Sequence, residues 1–222
     1  MKKLIIWDFD GVISDTEKLW LETNRFLLNK YFNLNWDFET INRYLGGMSI
    51  KTKREILDKM GIVTDDKFWE EVLQIDAEKI NRGLKPTEGI IDIFKDKTFD
   101  QCIATGGSSE KTVLKIKATG IEKYMPKNHV FSVDLVEKGK PEPDLFLFAA
   151  EKMGYMPKDC IVIEDSIAGM TAGMRAGMTV VAFLGCEMNN NPQYIKKVKD
   201  LGIKNIFFNM KDLHQFLRQS VK

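Results

Sequence analysis

From residue 100 onward the chain alternates short apolar runs with longer amphipathic stretches. The runs at 101–104, 129–132, 160–163, 179–183 and 205–208 are rich in β-branched and aromatic side chains and too short for core helices, so they predict strands. Between them, 109–119, 144–153, 167–176, 192–201 and 211–218 read as helices. Strand followed by helix, repeated, predicts parallel strands joined by crossover helices. The expected fold class is therefore α/β: a Rossmann-like open parallel sheet with helices on both faces. Residues 3–7 predict one further strand at the amino end.

The rhythm breaks between 16 and 85. Here the pattern predicts helix after helix, at 16–31, 37–44, 50–60 and 65–81, with Asp37 and Ser49 at N-cap positions and Gly61 and Gly83 as stops. Trp20, Phe26, Trp36 and Trp69 fall in this stretch and are read as helical core. An all-helical insert after the first strand predicts two domains: a discontinuous core of 1–15 and 86–222, and a small helical cap domain of 16–85.

Composition narrows the partners. With 33 Lys and Arg against 32 Asp and Glu, the net charge of +1 gives no electrostatic case for nucleic acid or an acidic membrane. The cluster Lys196, Lys197 and Lys199 reads as a solvated helix face. Cys102, Cys160 and Cys186 are scattered, which fits a reducing compartment better than a disulfide framework. The apolar run 4–7 ends at Asp8, short of what a secretion signal needs, and the stretch 167–184 is Gly-rich and broken by Arg175. A cytoplasmic monomer is expected, with neither nucleic acid nor membrane as partner.

Four strand ends carry chemistry. Asp8 and Asp10 close the first strand; side chains two apart on an extended segment share a face, so both carboxylates can converge, and Gly11 lets the backbone turn beside them. Thr105 ends the second strand, followed by Gly106, Gly107 and a Ser-capped helix, an arrangement that cradles anions but equally makes an ordinary glycine turn. Lys140 lies in a loop stiffened by Pro141 and Pro143, either as a fixed positive charge or as a solvated turn lysine. Glu164 and Asp165 end a further apolar strand, where hard oxygen ligands for a divalent cation and plain helix capping are alternative uses.

Together these residues resemble the haloacid dehalogenase superfamily, and within it the branch of β-phosphoglucomutase-like and phosphoglycolate-phosphatase-like enzymes. The segment Asp8-Phe9-Asp10-Gly11-Val12-Ile13-Ser14-Asp15-Thr16-Glu17 is similar to that branch's opening motif. Thr105, Lys140-Pro141 and Glu164-Asp165-Ser166 match the second, third and fourth motifs in order, and the insert occupies the position of the family's helical cap. The resemblance implies Asp8 as nucleophile, Asp10 as general acid and base, and Thr105, Gly106 and Lys140 around the phosphoryl group. It implies Mg2+ held by Asp8, Asp10 (through its main-chain carbonyl), Glu164 and Asp165. In the cap, Gly47 and Ser49 fall on the substrate loop. The implied activity is hydrolysis of a small-molecule phosphate ester. A phosphomutase is the alternative, weakened by Ile50 and Trp20 where such enzymes carry an arginine and a histidine. A binding or regulatory protein on the same scaffold is a third reading, although the acids such proteins lose are all present. His129 and His214 are expected to be a strand-start residue and a helix residue rather than catalytic groups.

Overall fold

The computed structural model describes residues 2–46, 48, 50–186 and 189–220. Two compact units divide the chain: 1–15 with 85–222, and 16–84. The expected N-cap Ser49 and the loop residue Gly47 lie outside the described residues.

The first unit is built on six parallel strands: β1 (Leu4–Trp7), β2 (Asp100–Thr105), β3 (Val130–Ser132), β4 (Cys160–Glu164), β5 (Thr179–Phe183) and β6 (Asn205–Phe207). Their order across the sheet is β3-β2-β1-β4-β5-β6. The chain steps outward from β1 in one direction through β2 and β3, then returns to build the other half through β4, β5 and β6. Such a reversal leaves a crevice at the carboxyl ends of the central strands, where open α/β sheets bind ligands.

Both faces of the sheet are covered, which explains strands that are apolar throughout rather than alternating with polar residues. On β1, Ile5 and Trp7 pack with Ile93, Phe94, Leu213 and Leu217, whereas Leu4 and Ile6 pack with Phe146, Ala149 and Ala172 on the opposite face. The first group brings in α5 (Ile90–Lys95) and α10 (Met210–Ser220); the second brings in α7 (Asp144–Met153) and α8 (Ile167–Arg175). A third cluster joins α8 and β5 to α9 (Pro192–Asp200) through Met170, Val180, Ala182 and Val198. The remaining core helix, α6 (Ser109–Thr119), starts on Ser108, whose hydroxyl accepts from the Lys111 amide. Helix α5 was not among the expected elements; its six residues are too few to carry a periodic pattern. His129 belongs to a 3-10 turn, Lys127–His129, and β3 starts one residue later. Its Nδ1 lies 3.1 Å from the Gln101 carbonyl.

The second unit holds α1 (Glu17–Phe32), α2 (Phe38–Leu45), α3 (Ile50–Lys59) and α4 (Asp66–Asn81). Asp37 caps α2 by accepting from the Thr40 amide at 2.8 Å, and Asp65 caps α4 through Phe68. Leu21, Leu28, Ile41, Leu57, Phe68 and Trp69 are buried. Of the aromatics assigned to this core, Phe26 is instead 57 % exposed. It lies on α1 between the buried Asn24 and Leu27, at a point where the helix turns its surface to solvent. No helix among the described residues is long and apolar enough to cross a membrane.

Candidate active site

The site grows out of the carboxyl end of β1. The Asp8 amide continues the β1–β4 ladder by donating to the Ile163 carbonyl at 2.9 Å, which sets Asp8 beside Glu164. The chain then folds back on itself: the amides of Ile13 and Ser14 both donate to the Phe9 carbonyl, and Gly11 donates to Ser14. Gly11 adopts φ +75°, and a Cβ there would stand 1.9 Å from Asp165 Oδ2. Glycine at this position therefore serves two purposes, the left-handed turn and the close approach of the carboxylate.

Lys140 lies between the acids. Its Nζ donates to Asp8 Oδ1 and Glu164 Oε1, each at 2.6 Å, and to the Ala104 carbonyl at 3.1 Å. Glu164 is almost fully buried, and its second oxygen accepts from the Asp165 amide, the Ser166 amide and the Ser166 hydroxyl. That hydroxyl also caps α8 by accepting from Gly169. A Cβ on Gly169 would fall 1.7 Å from Glu164 Oε1, so the carboxylate can nestle against the start of α8 only because residue 169 has no side chain.

Asp8, Glu164 and Asp165 each offer an oxygen, and these three oxygens lie within 4.8 Å of one another. Crowding of this kind has an electrostatic cost. Burial, reinforced by Glu164 and Asp10, raises Asp8 from 3.8 to about 7 even though Lys140 pulls it down. Burial, Glu164 and Asp8 likewise hold Asp165 well above the ordinary carboxylate range. Burial would lower Lys140, but the two carboxylates it touches outweigh that and raise it. Among the described residues, four carboxylates, at Asp8, Asp10, Glu164 and Asp165, face two ammonium groups, at Lys140 and Lys115. A hard oxygen donor set carrying an excess of negative charge fits a divalent cation.

Of the residues singled out from sequence, Asp8, Lys140, Glu164 and Asp165 are brought together. The Asp10 side chain is not part of the three-oxygen cluster; its Oδ2 accepts from Lys115 at 2.6 Å. Thr105 is buried at the end of β2, and its hydroxyl accepts from the Gly107 amide at 3.2 Å. The Ser109 amide is taken by Asp134 at 2.6 Å, so two donors of the anticipated anion cradle already have protein acceptors. Gly106 is exposed, with open space where a side chain would be. Gly47 and Ser49 are outside the described residues.

Three contributors escaped the sequence reading. Asn189 Nδ2 donates to Asp165 Oδ2 at 2.7 Å, and the Tyr194 hydroxyl donates to the Asp165 carbonyl at 2.8 Å. Both come from the segment after β5, and nothing local in the sequence links them to residue 165. Lys115 is the third. It occupies the inward face of α6, with Thr112, Ile116 and Thr119 as its buried neighbours. A lysine on that face was the available signal.

Comparison with known proteins agrees with this architecture. A haloacid dehalogenase-like hydrolase family match spans residues 5–183. The chain is 32% identical to (DL)-glycerol-3-phosphatase 2 of Arabidopsis thaliana over 189 residues, covering 80% of this chain and 77% of that one. It is 27% identical to a phosphorylated carbohydrates phosphatase of Thermotoga maritima, covering 78% and 81%. Among solved structures, a haloacid dehalogenase-like protein of unknown function from Agrobacterium tumefaciens superposes with a TM-score of 0.88 at 25% identity, over 100% of both chains. The match runs from β1 to the end of β5 and takes in every acid and lysine of the site. The chain belongs to the haloacid dehalogenase-like hydrolase family.

Proposed function

We propose that this protein is a magnesium-dependent phosphatase of small phosphorylated metabolites, a sugar or polyol phosphate foremost, that works through an aspartyl-phosphate on Asp8. The observation that carries the reading is the position of Asp8: buried, held by Lys140 at 2.6 Å, and within one oxygen cluster with Glu164 and Asp165. The named activities of the glycerol-3-phosphatase and carbohydrate phosphatase relatives support the substrate class.

In this reading an Asp8 oxygen bonds to phosphorus as the ester P–O bond breaks, and Asp10 gives a proton to the departing alcohol. Asp10 then takes a proton from water as that water's oxygen bonds to phosphorus and the Asp8–phosphorus bond breaks. Lys140 keeps Asp8 oriented and adds positive charge beside the transferring oxygens. Thr105 contributes its hydroxyl to the same group. Magnesium would be held by the side chains of Asp8 and Asp165, supported by Glu164 and the Asp10 carbonyl. When bound, it offsets the repulsion between an anionic nucleophile and an anionic substrate. Glu164 Oε2 already accepts three hydrogen bonds, so Glu164 acts chiefly by orienting Asp165, Ser166 and Lys140. The helical unit, threaded between Asp15 and Lys85, is assigned the role of cap and the choice of leaving group.

The test is phosphate release, with and without magnesium, from glycerol phosphate, sugar phosphates, phosphoglycolate, phosphogluconate and nucleotides. Release from at least one polyol or sugar phosphate, abolished by chelation, is expected. No release from any of them would overturn the reading, as would interconversion of sugar phosphates without free phosphate.

A further inference from the structure

Lys115 departs from the pattern of its own helix. Its side chain is 4 % exposed, on a face otherwise lined by Thr112, Ile116 and Thr119, where an apolar residue would pack at no electrostatic cost. Burying an ammonium group is unfavourable unless a partner compensates it, and a residue that breaks the local rule in this way marks a site where something other than stability is served. Its Nζ lies 2.6 Å from Asp10 Oδ2 and 4.7 Å from the centre of the ring of Phe9, the residue that separates the two acids in the opening motif. It also borders the loop after β2: a Cβ on Gly107 would stand 3.3 Å from this nitrogen and 3.6 Å from the Thr105 hydroxyl.

From this geometry we infer that Lys115 is a positioning residue for Asp10: by holding Oδ2 it fixes the carboxylate so that proton transfer runs through the other oxygen, at one defined place beside the phosphoryl group. The inference rests on the acid–base role given to Asp10 above. Three features make the hold firm. The lysine is anchored two turns into a helix whose first turn is capped by Ser108. The Phe9 ring blocks one side of the ammonium group. The Lys115 main-chain carbonyl is itself fixed, accepting from the Thr119 hydroxyl at 2.9 Å. Small errors in placing a general acid or base are costly, because proton transfer needs hydrogen-bond reach.

The experiment is a double-mutant cycle in the full-length protein. Turnover of glycerol phosphate and of p-nitrophenyl phosphate is measured for wild type, Lys115→Met, Lys115→Arg, Asp10→Asn and Asp10→Asn/Lys115→Met. Lys115→Met is expected to lower kcat on glycerol phosphate by about ten- to a hundredfold with KM changed less than about threefold, a fraction of the effect of a general acid–base group. Lys115→Arg, which keeps a cation and a donor, recovers part of the loss. In the Asp10→Asn background, where p-nitrophenyl phosphate keeps turnover measurable, adding Lys115→Met costs less than about twofold, because a residue acting through Asp10 has nothing left to position. Losses that multiply in the double variant would overturn the inference, as would Lys115→Met with wild-type kcat. Should Asp10→Asn alone retain full activity, it is the parent reading of Asp10 that fails.

Discussion

At the amino end of the sheet, Lys2 meets Asp100 at 2.5 Å and Lys3 meets Asp159 at 2.9 Å, both pairs partly in solvent. At the carboxyl end, Asp8, Glu164 and Asp165 crowd around Lys140, buried or half-buried. Residue types and contact distances are much the same; the balance of charge and the access of water are not. At the amino end each carboxylate has its own lysine. Asp159 is lowered by its bond from Lys3, and Asp100, despite the opposing effect of burial, is lowered by Lys2 and Tyr155. At the carboxyl end, among the described residues, the acids outnumber the lysines and Asp8 and Glu164 are buried, so Asp8 and Asp165 move the other way. Ion pairs at one end are surface chemistry; at the other they leave a surplus of negative charge that a cation can relieve.

The contrast can be broken in several places. Asp8→Asn should reduce turnover of any substrate by at least about a thousandfold, whereas Asp100→Asn, of the same type at the far end, should leave kcat within about twofold. Comparable losses from both would erase the distinction. Next in size is Gly169→Ala, which drives a methyl group into Glu164. It should destabilise the protein by at least about 2 kcal/mol in denaturant titration and also weaken magnesium binding.

The pH dependence of stability has opposite signs at the two ends. Asp8 in the metal-free fold keeps a proton up to about pH 7 that the unfolded chain has released by about pH 4. Between those values the folded state binds more protons than the unfolded one, so stability falls as pH rises. A bound cation compensates the buried charge that deprotonation leaves on Asp8, and the gain in Tm on adding magnesium should therefore grow from about pH 5 to pH 7 and level off above it. Thermal unfolding with and without magnesium reads this directly; a gain independent of pH would contradict it. Asp100 and Asp159, with lowered values, contribute stability that is complete above the ordinary carboxylate range and fades as acid is added. The smallest effect belongs to Lys2→Ala, which should cost less than about 1 kcal/mol and less still in high salt.

Much of this was legible beforehand because it is local. Strands β1, β2 and β4 carry apolar runs closed by a polar residue, and Asp8, Thr105 and Glu164 were readable as strand ends from their immediate neighbours alone. The family motifs then tied those ends together. What escaped depends on tertiary placement. Asn189 and Tyr194 reach Asp165 across the turn from β5 to α9, and Lys115 reaches Asp10 across 105 positions of sequence. Helix α5 escaped for the opposite reason, having too few residues to display a period.

Lys140 touches a residue following β1, a carbonyl within β2 and a carboxylate within β4, three strands that are neighbours in the sheet. One nitrogen thus acts as the keystone of an arch whose other stones repel each other. Until the loop bearing it has docked, Asp8 and Glu164 cannot sit side by side as anions. Closing of the sheet's upper rim and pairing of Asp8 with its cation are in that sense one event, and under the proposed function the attacking carboxylate would be in place as soon as the rim has closed.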